Sequence, residues 1–163
     1  MTDLNCNSDL VKLDQNLKNL YALNCDLQKG EKNFYECDHL IEKYLSESTQ
    51  LLAKQTNLNV FKTILAQNRL EILNLFEMWQ LSTNKRVKNA IIQLFHLVCH
   101  SDPSVVSLLY ESIHLMPELF CQIKQDIALG DHASLIILLK FIIMLLINTD
   151  RRITQILNGL FIV

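Results

Sequence analysis

Glycine and proline are nearly missing from this chain, at three and two in 163 residues. β-Hairpins need turn residues that tolerate positive φ, and those are the residues in shortest supply. Apolar residues instead recur at spacings of three and four, the period of an α-helix. An all-α chain is the expectation. Half the residues are hydrophobic and a fifth are charged, the balance of a globular chain rather than a disordered one. A single domain over 1–163 is expected, with residues 1–8 as a disordered N-terminus. A chain of this length buries about 70% of its unfolded surface, enough for a real core.

The few breakers and caps divide the chain. Ser8 is expected to cap a helix reaching about Lys29, with Leu10, Leu13, Leu17, Leu20 and Tyr21 inward and Gly30 as a left-handed stop. A second helix is expected over 32–54, with Phe34, Leu40, Ile41, Tyr44, Leu45 and Leu52 among its apolar positions, weakened near Ser46–Ser48. Shorter helices follow near 58–66 and 69–80, the latter carrying Ile72, Leu75, Phe76 and Trp79. Phe76, Met78 and Trp79 read either as an exposed hot spot or, better for Phe76 and Trp79, as a buried helix seam. The helix of 84–100 places Val87, Ile91, Leu94, Phe95 and Val98 on one face. Asp102 caps the next helix and Pro103 fits its first position. Met116-Pro117 is expected to end that helix, since proline disfavours the helical state in the residue before it. Pro117 would then open another helix, with Leu119, Phe120 and Ile123 inward. Asp131 caps a very apolar helix to about Asn148, and a last segment, 151–163, ends in Leu-Phe-Ile-Val with no stop signal.

Short links between helices of unequal length fit an irregular helical solenoid of the armadillo or HEAT kind, read as a fragment truncated at its C-terminal end. A globular helical bundle is the alternative. The apolar end near Phe161 is open to self-association as well as to an absent continuation. Leu135–Ile147 is apolar except for Lys140, too short to span a bilayer, and is expected to be buried on most sides. The net charge of −2 argues against nucleic acid and anionic membranes as partners. Five irregularly spaced cysteines behind a polar start point to a reducing interior, cytoplasmic or nuclear. The mean hydropathy of +0.16 asks for a dense core or for apolar surface that awaits a partner.

No constellation points to catalysis. No glycine-rich loop could cradle a phosphate, and Ser46, Ser48 and Ser101 lack a nucleophile elbow. His96, Cys99 and His100 share a helical face, and Cys121 or His114 would complete a tetrahedral zinc site. No paired Cys-x-x-Cys supports that set, and Cys99 reads better as a small core residue. No cofactor, metal or enzyme activity is expected. The basic residues break a local rule. Lys85, Arg86 and Lys88 open a helix whose macrodipole disfavours positive charge there, and Arg151 and Arg152 repeat the pattern after Asp150. Such a departure marks either a partner surface or neutralisation of a preceding helix end.

Three blocks carry a family resemblance: YECDHLIEKYL from Tyr35 to Leu45, VKNAIIQLFHLVCH from Val87 to His100 leading into SDPSVVSLLYESIHLMPELFCQIKQD, and the apolar helix Leu135–Ile147. In order and character they resemble the leucine-rich, armadillo-like domain of the NCK-interacting SH3-domain proteins, the WISH/DIP family. The order His114-Leu115-Met116-Pro117 departs from the family's corner, and no SH3 domain or proline-rich tract is present. The resemblance implies a non-catalytic, cytoplasmic, cytoskeleton-associated regulator. Such a domain binds and activates the actin-related protein 2/3 complex, which then nucleates unbranched actin filaments, by population shift rather than by chemistry. On that reading Lys85, Arg86, Lys88, Arg151 and Arg152 contact an acidic strip of the complex. A general helical adaptor with a partner unrelated to actin is the alternative.

Overall fold

A computed structural model of the chain describes residues 2–54, 61–111 and 114–147. The described elements are all α-helices: α1 (Thr2–Gln28), α2 (Phe34–Ala53), α3 (Lys62–Gln67), α4 (Arg69–Leu81), α5 (Lys85–Ser101), α6 (Ser104–Glu111), α7 (Leu115–Leu129) and α8 (His132–Ile147). There is no strand among the described residues, as the breaker-poor sequence requires. The terminal segment containing Arg151, Arg152 and Phe161 lies outside the described residues, as does the start of the helix expected near residue 58.

The stops fall where glycine permits them. Gly30 and Gly130 have φ of 74° and 68°, in the left-handed region. Behind each, a backbone N–H reaches back to a carbonyl left free by the helix end: Glu31 to Asp26 at 3.0 Å and Asp131 to Asp126 at 2.9 Å. Side chains cap the starts. Asn33 accepts from the Glu36 N–H at 2.9 Å, and Asn84 from the Arg86 N–H at 2.9 Å. Asp102 accepts from Ser104, and Asp131 from both the N–H and the hydroxyl of Ser134.

Three boundaries differ from expectation. α1 begins at Thr2, so Ser8 lies within the helix instead of capping it, and residues 2–8 are helical where a disordered start was expected. No proline or glycine interrupts that stretch. α2 runs unbroken through Ser46–Ser48, and the buried Ser48 satisfies its hydroxyl on the Tyr44 carbonyl at 2.8 Å one turn earlier in the same helix. At the proline corner, α6 is described as far as Glu111, and Met116 already belongs to α7, whose third residue is Pro117. The first-turn N–H groups of a helix have no intrahelical acceptor, so a proline there forfeits no hydrogen bond.

α2 packs between α1 and α5, and α5 between α2 and α8. α4 lies against α1 and α5. α3 sits beside α1 and α4, α6 touches α4, α5 and α7, and α7 lies on α8. The core runs along α5, where Val87, Ile91, Leu94, Phe95 and Val98 are all buried as the period predicts. Each large apolar side chain buried this way contributes roughly 1.5–3 kcal/mol. Phe95 stacks on Phe141 of α8 with centroids 6.1 Å apart, and Phe76 on Trp79 at 5.6 Å. Three residues expected inward are exposed instead: Tyr21, Leu40 and Phe120. A helix carries a stripe about 100° wide into the core, and these three lie at or beyond its edge.

Amide and carboxylate side chains join α1 to its neighbours within this packing. Asn68 donates to Asp14 at 2.8 Å, Asn16 to Glu47 at 3.3 Å, and Asn24 to Asn74. α8 corrects a further expectation. Leu138, Phe141, Ile142 and Leu145 are buried, but Ile136, Leu139, Ile143, Leu146 and Ile147 form an exposed apolar stripe beside Lys140. No helix among the described residues is long and apolar enough to cross a membrane.

Candidate partner-docking groove

The basic residues singled out at the start of α5 divide between two sides of that helix. Lys85 pairs its ammonium with Asp126 of α7, whose side chain is fully buried. Gln122 donates to the same carboxylate oxygen at 3.0 Å, while the other oxygen, Oδ2, has no partner. Lys88 lies 4.6 Å from the centre of the Trp79 ring and 3.4 Å from the side-chain Oε1 of Gln122. Burial, and then the charge of Lys85, hold the Lys88 ammonium below its usual pKa. Arg86 points elsewhere and is exposed.

The unfavourable charge in the first turn of α5 is therefore answered from other helices. Asp126 meets Lys85. The Asn84 cap donates to Asp38 at 2.9 Å and to Glu42 at 3.4 Å, both on α2. Asp131 also feels Lys85, although its carboxyl is held below the ordinary carboxylate range mainly by Ser134. Asn89 ties the same region to α8 by donating to the Ser134 hydroxyl at 2.8 Å. Lys85 and Lys88 thus hold α5 against α7 and α4.

Arg86 faces a groove that crosses α2, α5 and α8. Three adjoining hollows form it. The first lies between α2 and α5, with Glu42, Ser46 and Gln50 on one wall and Arg86, Ala90 and Gln93 on the other. The second shares Thr49 and Gln93 with the first, and adds His96, Leu97, Ile137 and Lys140. The third shares His96 and Lys140 with the second and extends to His100, Ile143 and Ile147. The groove is thus polar and of mixed charge near α2, and apolar with a basic rim near α8. His96 is held below its usual pKa by burial first, then by His100 and Lys140.

The sequence alone gives Gln93, His100 and Lys140 no docking role. A signal for α5 was present: Arg86, Gln93 and His100 repeat every seventh position, opposite the stripe of Val87, Ile91, Leu94 and Val98. The partner helices that turn this repeat into a groove are not visible in sequence.

The zinc grouping does not assemble. Cys99 is fully buried and its thiol is pushed up to about 12 by burial, whereas His100 on the next residue is exposed. Cys121 is exposed on α7, and His114 lines a separate hollow against α4 and α6. Among the described residues no group of three or more His, Cys, Asp or Glu side chains could hold a metal ion. Phe76, Met78 and Trp79 are buried, in agreement with a helix seam and not with an exposed hot spot. No family model, curated protein or solved structure matches this chain.

Proposed function

We propose that this chain is a non-catalytic docking scaffold of the armadillo kind, which holds a protein partner in the groove across α2, α5 and α8. One observation carries the reading: every third helix falls in a single row, α2 beside α5 and α5 beside α8. The lengths repeat in step with that row. The 6-residue α3 precedes α4 and α5, and the 8-residue α6 precedes α7 and α8. A short–long–long unit used twice, with α1 and α2 as an earlier pair, is how a solenoid stacks neighbour on neighbour. A row of equivalent helices presents a continuous surface, the usual use of such folds in binding.

The family resemblance makes the actin-related protein 2/3 complex the first partner to test. In that role the chain would favour the active arrangement of the complex through differential affinity. A cytoplasmic, cytoskeleton-associated location would follow from the partner. The test is capture of purified complex on the immobilised chain, together with a pyrene-actin assembly assay. Capture with earlier onset of polymerisation supports the reading. Failure to capture the complex removes that partner and leaves an adaptor with another.

A further inference from the structure

We propose that the α5–α8 end of the groove binds an acidic amphipathic segment of a partner protein, seating its apolar side chains on Leu97, Ile137 and Ile143 and its carboxylates against Lys140, His96 and His100. This rests on the docking-scaffold reading and specifies the chemistry of the partner.

The charge pattern decides between occupants. Lys140 and His96 line both hollows at this end, His100 lines the outer one, and among the described residues no Asp or Glu lines either. α8 contains no acidic residue at all. A basic segment would therefore meet only like charge, and a purely apolar one would strip water from Lys140 without replacing it. The floor asks for apolar anchors, since Ile143 and Ile147 are 55% and 76% exposed. An acidic amphipathic segment meets both demands, with apolar side chains on the floor and carboxylates at the rim.

A pH dependence follows from the same geometry. The charged groups that face His96 are His100 on its own helix and Lys140 on α8. From α2 the uncharged Thr49 reaches this end, and among the described residues no titratable group of α4 or α6 lines either hollow. A bound carboxylate would favour the protonated imidazole that burial and the two bases now oppose. Binding then takes up a proton, so affinity rises as pH falls through the bound-state value and is lost as pH rises above it.

The test uses the full chain and two fluorescein-labelled synthetic peptides, one alternating glutamate with leucine and one alternating lysine with leucine. Fluorescence anisotropy is read at pH about 6 and about 8, on either side of the ordinary histidine range. The glutamate peptide should bind, several-fold more tightly at the lower pH, and the lysine peptide should not. Lys140→Glu should weaken binding by about tenfold with an unchanged thermal melt. The paired variant His96→Gln/His100→Gln should bind with no pH dependence. Equal binding of the two peptides, or full affinity in Lys140→Glu, overturns the proposal. So does self-association of the chain that Ile143→Asp abolishes, since a second copy would then be the occupant. If the actin-related protein 2/3 complex is captured equally by wild type and Lys140→Glu while the glutamate peptide fails to bind, this site falls and the scaffold reading stands. If the glutamate peptide binds and the complex is not captured, the site stands and that partner falls.

Discussion

Lys85 and Asp126 allow an unusually direct test of how α5 is held to α7. The Asp126 side chain has no exposure, whereas the Lys85 side chain keeps 33%. Lys85→Met would strand a carboxylate that cannot reach water. Its Oδ2 already lacks a partner, and Oδ1 would retain only Gln122. Breaking a fully buried pair from one side costs about 3–5 kcal/mol, and partial exposure of Lys85 lowers the expectation here to about 2–3 kcal/mol. Asp126→Asn is a different perturbation. Lys85 turns into solvent and the neutral amide still accepts from Gln122, so the cost is about 1 kcal/mol. The double variant carries no stranded charge and should be more stable than Lys85→Met alone. Urea unfolding followed by circular dichroism measures all four chains. For a domain of this size Lys85→Met should lower Tm by roughly 4–12 °C. Moderate salt should leave most of the gap, because the acidic partner is buried. The reasoning fails if Lys85→Met costs no more than Asp126→Asn, or if the double variant is the least stable of the set.

Trp79→Ala should cost about 3–5 kcal/mol, since it removes a fully buried ring together with its stacking on Phe76 and its contact with Lys88, and chemical denaturation would show it. In the native chain iodoacetamide should label the exposed Cys121 while leaving Cys99 unmodified, because the Cys99 thiol is buried and its pKa stands at about 12; peptide mass spectrometry reads both sites. The Asp14 carboxyl is held below its ordinary pKa by the Asn68 amide first and Lys18 second. A lowered folded pKa stabilises above the unfolded value near ~4 and loses that contribution as pH falls through the folded value. The stability gap between wild type and Asp14→Asn should therefore be full at neutral pH and close in strong acid, which urea melts at the two extremes would check.

The legible parts of this protein were those governed by local chemistry. Scarce glycine and proline exclude hairpins, and the period of α5 by itself names Val87, Ile91, Leu94, Phe95 and Val98 as core. Gly30, Asn84, Asp102 and Asp131 marked helix ends because a left-handed residue or a short oxygen-bearing side chain acts within a few residues of itself. The start of α1 was less legible, because nothing local separates a helix that begins at Ser8 from one that begins at Thr2. Pro117 misled for a related reason: a proline closes one helix or occupies the first turn of the next with the same covalent geometry.

The groove was not legible, and Lys85 shows why. From sequence it is one of three bases set against a helix macrodipole, and a partner surface is a fair expectation for it. In the folded chain a buried carboxylate 41 positions later in sequence lies against it, and the neighbouring Arg86 alone of the three lines the groove. His96 similarly passes from one donor of a zinc grouping to the wall of a cleft, because α8 brings Lys140 beside it and Cys99 turns inward. Helical period decides which face of an amphipathic rod such as α5 is apolar, and the sequence carries that, but in α8, apolar on nearly every side, it does not say which face is buried. Which rod lies against which, and so which polar residues are spent inside the fold and which face outward, depends on contacts between residues far apart in the chain. Those contacts are set by the joint packing of all the helices and are written in no single segment.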